Sequence, residues 1–241
     1  MAAYTYADAL TFVGPFIKNI PLTAISVSMS DIINSITYTA YPWRWSLGSL
    51  SVEAVANGQQ DYTINSSDFW RLVRVRLTKT SDTPDTYREL IVKDHLAPDL
   101  TKMSFLAMQY CSYDGALSKL RLERAMQVAS GETYTINGEY QKKPTKITAT
   151  SDAIHAPDHY FPVFVAGMKW LAYDFANDDR AGTAVLVKGG RVQYTGALGI
   201  FYRQLQDMVN AEDEGDGTPL SFPYETFGAR NVAGFGIYGI R

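Results

Sequence analysis

Apolar residues recur at helical steps in two blocks towards the C-terminal end of the chain. Phe161, Phe164, Val165, Met168, Leu171, Ala172 and Phe175 advance by threes and fours, which lines them along one helix face. Tyr194, Leu198, Phe201, Leu205 and Met208 repeat the pattern. The spacing predicts two helices between Pro157 and Glu214, joined by a short polar connector that holds Gly189 and Gly190. Asp158 is placed to cap the first helix, and Asn177, Asp178, Asp179 and Gly182 end it. The run Glu212, Asp213, Glu214, Gly215, Asp216, Gly217 ends the second. An antiparallel pair is expected, packed through Phe161, Phe164, Met168, Leu171 and Phe175 on one side and Leu198, Phe201, Leu205 and Met208 on the other.

The N-terminal stretch also reads as helical, but broken. Ala7, Leu10, Val13 and Ile17 share a face until Gly14 and Pro15 interrupt it. Beyond Pro21, Ile25, Met29, Ile32, Ile33 and Ile36 fall on one side of a second helix. Its many serines and threonines, with Asp31, lower the intrinsic helix preference, so packing has to supply the stability.

At Tyr41-Pro42-Trp43 the period changes. Trp43 and Trp45 alternate as on a strand or an extended corner, and Leu50, Val52 and Ala54 share one parity. Asn57-Gly58 predicts a hairpin turn, closed by a strand through Tyr62 and Ile64. Alternation continues from Trp70 to Leu77, and a turn over Ser81 to Asp85 leads to a strand at Tyr87 to Val92. Phe105 to Ser112 and Leu117 to Met126 flank Asp114-Gly115, a second hairpin signal, with Lys119, Arg121 and Glu123 on the wet face of the second arm. A last strand passes through Tyr134, Ile136 and Gly138. The expected class is therefore α+β. Helices over 1–42 and a helix pair over 151–217 form one bundle, an antiparallel β segment over 43–150 is inserted between them, and an extended arm covers 218–241.

That arm holds Pro219 and Pro223, repeated glycines, and Phe222, Tyr224, Phe227, Phe235 and Tyr238 with no period. It cannot bury its own aromatics, so it is expected to lie over another surface. Of the 241 residues 46% are hydrophobic and 20% charged, and the formal charge of -3 gives no general basic field for nucleic acid. Arg71, Arg74 and Arg76 could still form a local basic stripe. The single cysteine, Cys111, makes no intrachain disulfide and reads as a packed thiol. There is neither a run of eighteen apolar residues nor a leader pattern, so no membrane span or signal peptide is expected.

Candidate chemistry is sparse. Gly234, Gly236 and Gly239 fit the dinucleotide spacing, yet no strand precedes them and no helix follows. His155 and His159 stand four apart as a metal pair would, with Pro157 between them and no third ligand nearby. Asp213, Glu214 and Asp216 lack the spacing of a calcium loop. No nucleophile elbow or phosphate loop is present, so no cofactor, metal or catalytic residue is expected. An exposed Trp43, Trp45 or Trp70 would leave a second reading open, a carbohydrate- or partner-binding tail or baseplate module with that ring as its platform.

The segment Tyr134-Thr135-Ile136-Asn137-Gly138-Glu139-Tyr140-Gln141-Lys142-Lys143-Pro144, then Pro157-Asp158-His159-Tyr160 and Met168-Lys169-Trp170-Leu171-Ala172-Tyr173, resembles tailed-phage head-to-tail connector adaptors, the ring proteins beneath the portal. The resemblance covers roughly residues 20–212. It implies a structural virion protein of the neck, assembled in the host cytoplasm, that forms a homo-oligomeric ring, commonly twelve-fold. The ring would join the portal protein to a tail or nozzle protein and let DNA pass without sequence-specific binding. It further implies that Phe222, Tyr224, Phe227, Arg230, Phe235, Tyr238 and Arg241 dock on the portal or a neighbouring subunit, and that Glu212, Asp213, Glu214 and Asp216 are candidates for an acidic lumen.

Overall fold

The computed structural model describes residues 4–17, 22–64, 66–114, 118–187 and 191–216, with backbone alone for 51–53, 187, 191 and 213–216. The chain is mixed α+β. It divides into two units, Met1–Trp45 with Pro144–Arg241, and Ser46–Lys143. The first is helical and the second is built on a sheet.

The helical unit holds α1 (Tyr6–Val13), α2 (Leu22–Ala40), α3 (Phe161–Phe175) and α4 (Gly196–Asp216). A capping box starts α1: the Thr5 hydroxyl accepts the Asp8 N–H at 3.2 Å, and the Asp8 carboxylate accepts the Thr5 N–H at 2.8 Å. The buried face of α1 is Tyr6, Ala9 and Val13, continued by Ile17, not the face through Ala7 and Leu10. Tyr6 decides the rotation, since its ring is fully buried edge-on to Phe164.

On α2 the buried positions include Met29 and Ile33 but also Ser26, Ser30, Asn34 and Thr37, while Ile25, Ile32 and Ile36 are only partly covered. Ser26, Ser30 and Asn34 bond locally or hold the returning chain, whereas the buried Thr37 hydroxyl has no hydrogen-bond partner among the described residues. The Ser30 hydroxyl donates to the Ser26 carbonyl, the Asn34 amide donates to the Thr145 carbonyl at 2.8 Å, and the Asp31 carboxylate accepts the Ile147 N–H at 2.8 Å. The same returning segment gives the Ala7 N–H the carbonyl of Thr150, and its Ile154 N–H bonds to the carbonyl of Tyr4.

Trp43 and Trp45 do not lie on a strand. Arg44–Ser46 form a short 3-10 turn, and Trp43 is fully buried with its indole N–H donated to the Thr37 carbonyl at 2.7 Å. That bond ends α2 by satisfying one of its last carbonyls. Helix α3 follows a 3-10 turn, Asp158–Tyr160, and neither start has a side-chain cap, so Asp158 does not play the capping role. Its other end is a Schellman closure. Asn177 takes a left-handed φ of 51°, and the N–H groups of Asn177 and Asp178 return to the carbonyls of Asp174 and Tyr173.

Phe161, Phe164, Met168 and Leu171 are buried on α3, with Leu198, Phe201, Leu205 and Met208 on α4, whereas Phe175 is 46% exposed. A Cβ on Gly167 would lie 2.6 Å from Ile33 Cδ1 and 3.0 Å from Phe201 Cε2, so α2, α3 and α4 close on one another at that glycine. The connector between α3 and α4 is a two-stranded ribbon, β10 (Ala184–Val187) and β11 (Arg191–Tyr194). Tyr194 therefore belongs to a strand, and its ring stacks on Tyr202 at 4.3 Å.

The sheet unit runs β1 (Leu47–Ala54), β2 (Asp61–Thr63), β3 (Phe69–Lys79), β4 (Thr86–Lys93), β5 (Lys102–Met103), β6 (Tyr110–Asp114), β7 (Lys119–Leu122), β8 (Ala125–Met126) and β9 (Tyr134–Lys142). Seven strands form one sheet in the order β1-β9-β3-β4-β6-β7-β2, and β5 pairs with β8 separately. The β3–β4 hairpin closes across Ser81 to Asp85, and β6–β7 pairs Asp114 with Lys119.

The expected hairpin at Asn57-Gly58 does not form. Gly58 takes a φ of 81° and the chain turns there, but β1 pairs with β9 while β2 pairs with β7. Strand β9 slots between β1 and β3, a non-local pairing that no turn signal encodes. Gly138 permits the fit, because a Cβ there would lie 2.1 Å from the Arg74 carbonyl oxygen. The β4–β6 pairing is parallel, so the sheet is not purely antiparallel, and Phe105 to Ala107 is a turn, with the strand beginning at Tyr110. Arg121, expected on a wet face, is buried and forks onto Asp61, Nε to Oδ1 at 2.7 Å and a terminal nitrogen to Oδ2 at 3.0 Å.

Candidate functional site

Cys111 is fully buried, and burial pushes its thiol up to about 12, which leaves it protonated and inert at neutral pH. Among the described residues no three His, Cys, Asp or Glu side chains gather as a metal site, and the His159 ring lies against Tyr160 at 3.9 Å. The Tyr160 hydroxyl donates to Glu212 at 3.0 Å, and burial first, then that carboxylate, pushes its phenol up to about 12. Glu212 thus ties α4 to the start of α3. The side chains of Asp213, Glu214 and Asp216 lie outside the described residues, as do Phe222, Tyr224, Phe227, Arg230, Phe235, Tyr238 and Arg241.

The arginines of β3 do not form a free basic stripe. Arg71 donates to Gln141, Arg74 pairs with Glu89 at 3.0 Å, and Arg76 stands over the Tyr87 ring. Of the tryptophans offered as a platform, Trp43 has no exposed surface and cannot serve, while Trp70 is 46% exposed.

What the helical unit does present is an apolar groove of about 360 Å³. Tyr4 and Phe12 form one side, Phe161, Val165 and Lys169 of α3 the floor, and Ala197, Ile200 and Gln204 of α4 the other side. Tyr4 stacks on Phe161 at 4.1 Å, and Phe12 meets the same ring edge-on. Phe12 is 59% exposed and Ile200 52%. Beside them Phe16 is also exposed, with the Lys169 ammonium 4.3 Å from its ring centre. Phe12 and Ile200 are already partly covered, so burying the rest of each would be worth roughly 1 kcal/mol, and the patch favours an apolar or aromatic occupant.

Phe161 and Val165 stood out in the sequence as part of a packed stripe, but the exposed groove residues Phe12 and Ile200 did not. The available signal was that Phe12 and Phe16, four apart, lie off the buried face of the N-terminal helix, which becomes clear only once Tyr6 fixes that face.

Among the described residues the helical unit thus offers an exposed apolar groove, while Cys111 is buried and Tyr160 is bonded to Glu212. The sequence pattern of the SU10 adaptor protein family matches residues 4–221, and the chain belongs to that family. It is a phage adaptor protein, a structural component of the virion that interacts with other virion proteins. Comparison with curated proteins returned no match. No helix among the described residues is long and apolar enough to cross a membrane.

Proposed function

We propose that this adaptor is the head-to-tail connector ring that docks beneath the portal and joins the capsid to the tail or nozzle, leaving a channel for DNA. The observation that carries the reading is the family match over residues 4–221, which takes in both units. In this reading the helices form a bundle into which the sheet is inserted, and the bundle makes the ring contacts. These are heterologous side-to-side contacts that close when the rotation per subunit fits, commonly twelve-fold.

The aromatic segment after Asp216 docks on the portal, with Arg230 and Arg241 meeting acidic groups. The acidic run at the end of α4 is the candidate lumen surface, although Glu212 also serves Tyr160. Negative-stain imaging with mass measurement, on the purified chain alone and mixed with a cognate portal ring, tests the reading. Rings, or one copy per portal subunit, are expected. A chain that ignores the portal at every salt concentration would overturn it. Removing residues 218–241 should leave the cooperative melting transition in place while abolishing portal docking.

A further inference from the structure

The groove of the helical unit is open on one side, and the same chain carries an apolar segment of matching chemistry. We propose that the groove is the seat of the chain's own C-terminal segment, from Tyr224 to Tyr238, which covers Phe12 and Ile200 before any partner arrives. This goes beyond the connector reading and does not depend on it.

Three observations point to this occupant. The first is reach. Ile200 stands about 24 Å back along the helix axis from Asp216. A chain turning back there draws level with Ile200 at about Tyr224, and residues 217–241 fully extended span about 80 Å. The second is chemistry. The exposed surface is aromatic and aliphatic, Phe12 and Ile200 with Tyr4 beside them, and the segment supplies Tyr224, Phe227, Phe235 and Tyr238 with few charged residues, Glu225, Arg230 and Arg241. The third is mass action. A segment joined to the groove by a short tether meets it at an effective concentration on the order of millimolar.

The consequence is a latch. The aromatics that a partner would use are held on the chain's own surface, and the partner must compete for them. Such a device keeps both apolar surfaces covered in the unassembled chain and lets a partner that binds the segment more tightly draw it off.

The test uses the full chain with Cys111→Ser and Arg203→Cys. Arg203 is exposed, one turn along α4 from Ile200, so a benzophenone maleimide there sits at the rim and leaves the groove clear. Irradiation of a mixture of nitrogen-15 and natural-abundance chains, followed by mass spectrometry, identifies both the captured peptide and the chain it came from. The expected result is capture of a peptide within residues 217–241 of the same chain, at a yield independent of protein concentration. That yield should fall about tenfold or more when Phe12→Asp and Ile200→Asp are added, two exposed positions whose change leaves the core intact. Capture between differently labelled chains would show a second copy in the groove and overturn the proposal, as would the absence of any peptide from residues 217–241. No portal is present in the assay, so neither result bears on the connector reading.

Discussion

Each unit of this chain has its own buried apolar core, and the two differ in the polar contacts added to it. In the helical unit the prominent contacts are between rings: Trp43 with Trp45 and Tyr41, Trp170 with Phe201, Tyr194 with Tyr202, Tyr6 with Phe164. The ion pair there between Arg180 and Asp178 spans two positions of one turn. In the sheet unit ion pairs join strands and turns distant in sequence, Arg121 to Asp61, Arg74 to Glu89, Lys79 to Glu132 and Arg124 to Asp99. The helices, whose faces interdigitate, gain most from shape. The sheet, whose pairings are non-local, gains register from charges that fit in one arrangement only. Perturbations of charge should therefore be felt mainly in the sheet unit, and perturbations of packing in whichever unit carries the residue.

The largest effect is expected from Trp43→Ala, which removes a fully buried indole and its bond to Thr37, at a cost of about 3–5 kcal/mol. Hydrogen exchange should show lost protection in α2 and α3 with β3 and β9 unchanged. Equal loss in the sheet would show one cooperative block and break the comparison. Next comes Gly138→Ala, whose Cβ would collide with the Arg74 carbonyl, at about 1–3 kcal/mol. Here β1, β3 and β9 should lose protection while the helices keep theirs.

Asp61→Asn removes the charge that receives the buried Arg121 fork and should cost about 2 kcal/mol, read as a lower urea midpoint with an unchanged slope. The smallest effect is that of pH and salt. The Thr86 hydroxyl and then Lys79 hold Asp82 below its ordinary 3.8, and Lys79 and then Tyr134 hold Glu132 below its ordinary 4.5. Carboxylates depressed in the folded state contribute stability that is complete above those ordinary values and is lost as pH falls through the depressed ones. The melting temperature of the sheet should be flat from about pH 6 to 8 and should drop below about pH 4. At about 1 M sodium chloride the sheet should lose a few degrees at neutral pH and the helices less. Calorimetry at low and high salt checks this.

Elements with strong periods were legible in the sequence. Helices α3 and α4 follow from their stripes, and the hairpins β3–β4 and β6–β7 follow from turn chemistry between alternating runs. The local pattern was misleading where a long-range contact outranked it. Asn57-Gly58 is a strong turn signal, yet β9 arrives between β1 and β3 and sends β2 to the far edge of the sheet. Ser26, Ser30, Asn34 and Thr37 read as weak helix formers, and the chain that gives Asn34 its partner comes more than a hundred residues later. The groove was not visible for a related reason. Phe12 and Ile200 are apolar residues outside the packed stripes, and periodicity reports only the residues that pack. Family membership was legible in the motif from Tyr134 to Pro144 and in the residues opening α3.

The hydrogen bonds that hold residues 144–154 against α1 and α2 have a consequence for synthesis. The sheet unit is contiguous, so it is complete in sequence once Lys143 has left the ribosome. The N-terminal helices emerge first but cannot finish, because Thr145, Ile147 and Thr150, which they bind, and α3, on which they pack, are translated afterwards. At about 5–20 residues per second the wait from Trp45 to the end of α3 is roughly 6–26 seconds. Throughout it Tyr6, Met29 and Ile33 are without their cover. Helices α1 and α2 are made well before the segments that shelter them, and chaperone capture during translation should concentrate on them.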